Sequence, residues 1–146
     1  MYNSLMRITN DADVSKDLLQ ESFIKAFKKI DTLEDAKAFG GWLKRIVLNM
    51  GLEHVRSKKL QFEDVEDQLH IESDEVEESL IDNETLHAAI KALPEGCRTI
   101  LNLHLMEGYK HKEIADQLVI TESTSKTQFR HAKKLLKDKL QHHNEH

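Results

Sequence analysis

Cysteine, proline and glycine are all scarce in this 146-residue chain, and each scarcity removes a class of fold. The single cysteine, Cys97, has no partner for an internal disulfide and sits in an apolar helical pattern, where it reads as a small buried hydrophobe. One proline and five glycines leave few breaks in long helices, and no alternating run of β-branched residues is long enough to suggest a sheet. No stretch approaches about 18 consecutive apolar residues, so a transmembrane helix is not expected. Nor does the start combine basic and apolar runs as a signal peptide does, which places the chain in the cytoplasm with no direct membrane insertion. Catalytic constellations are missing too. No serine or cysteine nucleophile has a recognisable partner, no glycine-rich loop follows a strand, and His54 has no second histidine at metal-ligand spacing. An enzyme is therefore not expected, nor a metal site or cofactor.

What the chain does have is charge, unevenly spread. The formal net charge is −5, which looks wrong for a protein that meets nucleic acid. Divided along the chain it reads differently. Residues 1–60 hold eleven Lys plus Arg against eight acids, residues 61–87 hold eleven acids with no Lys or Arg, and residues 88–141 hold ten Lys plus Arg against six acids. Two basic parts flank an acidic connection. The connection is poor in large apolar residues, so its plain reading is an exposed linker. The sharper reading is that its carboxylates, Glu63, Asp64, Glu66 and Asp67 among them, lie against the basic faces and hinder DNA binding.

The C-terminal part shows three helical patterns. Cys97, Ile100, Leu101 and Leu105 recur at helical steps and predict a helix that stops near Gly108. A short helix follows from about His111 to Leu118 with Ile114, Ala115 and Leu118 inward, and after a tight turn Thr121 is placed to cap a long helix. The long helix carries Phe129, Ala132, Leu136 and Leu140 on one side and Ser123, Lys126, Thr127, Arg130, Lys133, Lys134 and Lys137 largely on the other. Short helix, tight turn and long basic helix make a helix-turn-helix. From Glu122 to Leu140 it has six Lys plus Arg against two acids, and its first-turn hydroxyls can meet phosphates or base edges. A basic face is by itself only a solvated face; the preceding helix and turn tip the reading towards DNA.

Upstream, Tyr2, Leu5, Met6 and Ile8 mark a helix within Met1–Asn10, and Asp11 or Asp13 can cap a helix over about Val14–Ile30. There Leu19, Phe23, Ala26, Phe27 and Ile30 are the expected core. Phe39–Ser57 is a further strong helix, with Phe39, Trp42, Leu43, Ile46, Val47, Met50 and Val55 apolar. Leu80–Ala92 forms another helical pattern that leads into Leu93-Pro94. The expected fold class is all-α: a helical bundle over residues 1–60, an acidic linker over 61–79, a helix-turn-helix domain over 80–141, and a disordered tail over 142–146 whose histidines bind metal only adventitiously.

Several of these stretches resemble one family. Leu93-Pro94-Glu95, Glu107-Gly108-Tyr109, Lys112-Glu113-Ile114-Ala115, Ser123-Thr124-Ser125-Lys126 and Ala132-Lys133-Lys134-Leu135 are similar to the promoter-binding domain of sigma-70 family sigma factors of the extracytoplasmic-function (ECF) group. Upstream, Asp17 through Phe27 resembles the helix of that group that binds core RNA polymerase, and Phe39 through Arg56 its melting and minus-10 helix. The resemblance implies that Asp17, Gln20, Glu21, Ile24 and Lys25 meet the clamp helices of the polymerase beta-prime subunit. It implies that Lys44, Arg45, Asn49, Arg56, Lys58 and Lys59 hold the minus-10 DNA, and that Ser123, Lys126, Thr127, Arg130, His131 and Lys133 read the minus-35 element. The loop Asp31–Lys37 corresponds to one that holds a flipped minus-10 base. An anti-sigma factor is a further candidate partner.

Three departures from the family pattern stand out. A further helical stretch usually precedes the position of Met1; Lys110 stands where a small N-cap is common; and Val119 stands where the turn commonly has glycine. The first departure leaves open a truncated sigma-like interaction protein, and the last domain alone would serve a DNA-binding regulator that never engages polymerase.

Overall fold

The structure, a computed structural model, describes residues 1–65 and 82–144, with side chains described as far as Gln141. Among these residues the regular elements are all helical: α1 (Tyr2–Thr9), α2 (Ala12–Lys28), α3 (Phe39–Ser57), α4 (Asn83–Lys91), α5 (Glu95–Leu101), α6 (His111–Leu118) and α7 (Glu122–Asn144). Local chemistry sets most of the starts. Asp11 caps α2 by accepting from the amides of Asp13 and Val14, Asp82 caps α4 through the amide of Thr85, and Thr121 caps α7 through the amide of Thr124 at 3.0 Å.

Helices α1, α2 and α3 pack as one bundle around Leu5, Leu18, Ala26, Leu43 and Val47. The inner face of α2 differs from the expected one. Phe23, Phe27 and Ile30, expected in the core, are exposed, Phe27 at 81%. Ser15, Leu18 and Ser22 face inward instead, beside Ala26, which is buried as expected. The reason is close packing: small residues let α2 approach its neighbours, and their hydroxyls are satisfied inside. Ser22 Oγ donates to the Leu18 carbonyl at 2.6 Å, and Ser15 Oγ lies 2.7 Å from Thr9 Oγ1.

Helices α4 to α7 form the second half, around Leu93, Cys97, Leu101 and Ala132. Here α5 runs into a π-helical turn over Asn102–Met106, closed by the Glu107 amide on the Asn102 carbonyl. Leu103 is fully buried, while Leu105, expected on the apolar side, is 61% exposed. The wider turn lets the helix end on Gly108 at φ 76°, with the Tyr109 amide bonded to the Leu103 carbonyl. Of the expected helix over 80–92, Leu80 and Ile81 lie outside the described residues. The 142–146 tail was expected to be disordered, yet the α7 backbone continues through it to Asn144.

The two halves share a third cluster. Ile8, Leu48, Leu52 and Val55 from α1 and α3 meet Ile100, Leu103, Ile114 and Leu118 from the C-terminal half. α3 is thus buried on two sides, with Leu43 and Val47 towards α1 and α2, and Leu48, Leu52 and Val55 towards the second half. Polar contacts add to the junction: Asn102 Nδ2 donates to the Arg7 carbonyl at 3.0 Å, and Arg7 reaches Glu107 at 3.2 Å.

Candidate nucleic-acid interface

The helix-turn-helix is α6, a turn at Val119–Thr121, and α7. Lys110 precedes α6 and has no acceptor, so only the reverse half of a capping box is present: the Lys110 amide donates to Glu113 Oε1 at 3.3 Å. Val119 closes α6 in the left-handed region at φ 57°, ψ 50°, with its side chain 74% exposed. A β-branched residue there is strained, yet the turn keeps the geometry that glycine would provide.

α7 lies over α5 and α6 with Ser125, Gln128 and Ala132 buried. This leaves Ser123, Lys126 and Arg130 exposed and Thr127 half-buried. Lys126 pairs with Glu122 one turn back at 3.4 Å, both ends half-exposed, so the pair is easily exchanged for phosphate. Thr127 Oγ1 donates to the Ser123 carbonyl at 2.9 Å, and the Lys133 ammonium sits 5.3 Å from the centre of the Phe129 ring. His131 is turned towards the start of the acidic connection, its Nε2 at 2.9 Å from Glu63 Oε2.

On α3, Arg45, Asn49 and Arg56 fall at i, i+4 and i+11 and share one face, with both arginines exposed. Lys58 and Lys59 extend that basic end. Lys44 lies one step round, towards the second half, where its ammonium is 3.4 Å from Glu107 Oε2. Arg56 Nη1 donates to the Gln117 carbonyl at 3.4 Å. On α2, Asp17, Gln20, Glu21 and Ile24 are exposed and Lys25 is half-buried. Phe23 and Phe27 stand beside them, which adds an apolar patch to a surface read from the sequence as polar.

Residues 1–61 match the family model Sigma-70 region 2, and residues 83–136 match Sigma-70, region 4. ECF RNA polymerase sigma factor SigW of Bacillus subtilis is 27% identical, over 96% of this chain and 82% of its own length. RNA polymerase sigma-H factor of Pseudomonas aeruginosa is 30% identical, over 94% of this chain and 78% of its own. The chain belongs to the sigma-70 family, in its ECF group. A solved structure of the sigma factor RpoE from Bartonella quintana, in complex with the anti-sigma factor NepR, shares the fold. It aligns with a TM-score of 0.58 at 20% identity over 96% of this chain and 89% of that one.

In this sigma factor, reading the sequence missed Gln128, which is buried and donates to the Glu63 carbonyl at 2.7 Å. Its spacing from Ser125 and Ala132 was the available signal; its polarity hid it. Behind α7, His104 and His111 stack at 4.2 Å with Phe129 edge-on to both. His111 Nδ1 lies 2.8 Å from the buried Ser125 hydroxyl, so it holds the start of α7 against α6. Burial first, then His104 and Lys126, push the His111 pKa down. Burial, then Glu63, push the Cys97 thiol up, which suits an inert core residue. Among the described residues no group of three or more His, Cys, Asp or Glu converges to hold a metal, and no helix is long and apolar enough to cross a membrane.

Proposed function

We infer that this sigma factor binds core RNA polymerase and directs promoter-specific initiation through minus-10 and minus-35 recognition, as a cytoplasmic binding protein and not as an enzyme. The observation that carries this is the order of the two matched regions on two helical halves, the second a helix-turn-helix whose long helix keeps a basic face outward. Each site has its own physical role.

On α2, Asp17, Gln20, Glu21, Ile24 and Lys25 would meet the beta-prime clamp helices. The exposed Phe23 and Phe27 support this, because uncovered aromatics beside carboxylates suit a protein partner better than solvent. On α3, Lys44, Arg45, Asn49, Arg56, Lys58 and Lys59 would track the phosphates and edges of the melted minus-10 strand. On α7, Ser123, Lys126, Thr127, Arg130, His131 and Lys133 would lie in the major groove at minus-35. An anti-sigma factor is a further partner in this reading; the RpoE structure contains one.

The reading separates into two testable halves. Replacing Asp17 and Glu21 with alanine should abolish retention by immobilised core polymerase and leave DNA binding by α7 intact. Retention equal to wild type would overturn the assignment of α2.

A further inference from the structure

We propose that the cavity lined by α1, α4, α5 and the π-helical turn is a binding site for a small organic carboxylate, anchored by Arg98. The cavity measures about 110 Å³. None of the residues read as polymerase or DNA contacts lines it.

Arg98 is buried because the helix that carries it is buried all round, from Gly96 to Leu101. Only 8% of Arg98 is exposed. A guanidinium keeps its charge and offers five N–H donors, and here those donors meet little. Nη1 reaches the Lys91 carbonyl at 3.5 Å, the outer limit for a hydrogen bond, and Nε is buried with no acceptor. Among the described residues no carboxylate pairs with Arg98. The other arginine of the cavity, Arg7, is by contrast paired with Glu107 at 3.2 Å. A buried cation with so few acceptors is costly, and an anion beside it relieves the cost.

The rest of the wall selects the ligand. Lys91 and His87 add basic groups from α4, and no Asp or Glu lines the space, so it favours an anion. Met6, Ile90 and Met106 supply an apolar side that suits hydrocarbon better than a bare, strongly hydrated ion. An apolar cavity of about 150 Å³ takes a benzene ring, so this smaller one takes a short aliphatic chain. The two oxygens of a carboxylate match paired N–H groups of a guanidinium. Because Met6 and Arg7 belong to the first half and Arg98 to the second, a bound carboxylate favours the joined arrangement of the halves by mass action.

Spectra of the full chain labelled with methyl-13C methionine test this, because its four methionines divide between cavity and control. Met6 and Met106 line the cavity, Met50 packs on the α1–α3 cluster, and Met1 is exposed. Butyrate, titrated at constant pH and ionic strength, should shift Met6 and Met106 along a saturable curve and leave Met1 and Met50 in place. Butyramide, of the same shape without the charge, should bind about tenfold more weakly or worse, as the loss of a charge-assisted pair predicts. Inorganic phosphate, which has no hydrocarbon to bury, should also bind more weakly than butyrate. Arg98→Met keeps a long straight side chain without the charge and should abolish the butyrate shifts. Should that variant fail to fold, with Met50 leaving its wild-type position, Ile90→Phe fills the cavity while keeping every charge and should abolish them too. No shift in the wild-type chain, a linear drift of all four methyls, or shifts that survive in both variants would overturn the site. Butyramide or phosphate binding as tightly as butyrate would overturn the carboxylate assignment.

Discussion

Lys44 Nζ lies 3.4 Å from Glu107 Oε2, an ion pair between the helix read as the minus-10 contact and the end of the π-helical turn in the other half. The distance allows attraction without hydrogen-bond alignment, whereas Arg7 reaches Oε1 of the same carboxylate at 3.2 Å. The Glu107 side chain is fully shielded from solvent, and its two cationic partners remain partly wet. This carboxylate therefore fastens the two halves through their charges, beside the apolar cluster that fastens them by burial.

Replacing Glu107 with alanine should cost about 1–2 kcal/mol, below the full cost of breaking a buried pair because Arg7 and Lys44 can return to water. Urea denaturation of the full chain measures it. Unchanged stability would show that the ion pairs contribute nothing to holding the halves together.

Val119 supplies a second prediction. Its side chain is 74% exposed and its backbone is left-handed, so Val119→Gly removes strain without removing core. Relief of about 1–2 kcal/mol is offset in part by the greater freedom of glycine in the unfolded chain. The variant should be more stable than wild type by some tenths of a kcal/mol to about 1 kcal/mol. A loss of stability would mean that Val119 makes a contact that matters.

The surface of α2 separates stability from binding. Leu18→Ala should cost about 2–4 kcal/mol, as for a buried leucine, whereas Phe23→Ala and Phe27→Ala should each cost well under 1 kcal/mol. In a polymerase pull-down the ranking should reverse, with the phenylalanine variants retained least. A large stability loss in Phe27→Ala would return that ring to the core.

This helix also shows what the sequence could and could not reveal. Helix periodicity and a cap at Asp11 or Asp13 gave α2 within two residues at each end, because those signals are local, and the structure caps it with Asp11. Which face turned inward was not local. Phenylalanine ranks as core by hydropathy, but the bundle needed the small residues Ser15, Ser22 and Ala26 for close approach. Leu48 and Leu52 of α3 stood outside the expected apolar stripe for the related reason that they pack on a half of the chain more than forty residues away. On α7 the outward residues followed from amphipathicity, while the Glu63 contacts with Gln128 and His131 depended on a turn at Lys59 that carries no strong sequence signal.

His111 makes stability depend on pH. An unfolded imidazole titrates near 6.5, and the folded value lies lower, through burial, then His104 and Lys126, with Arg130 adding and Glu122 opposing. The unfolded chain therefore binds more protons as pH falls below 6.5, and the stability present above that value is lost as pH falls through the folded value. Melting temperatures at pH about 7.5 and about 5.5 should differ more for wild type than for His111→Gln. Equal differences would remove His111 as the source.

Run-off transcription with purified bacterial core polymerase, this chain and a promoter library tests the central claim most directly. The expected result is transcription from a subset of templates sharing two spaced elements, lost with Asp17→Ala/Glu21→Ala through polymerase binding and with Arg130→Ala through the upstream element. Failure of the wild-type chain to bind core polymerase or to start any transcript would contradict its assignment as an initiation factor.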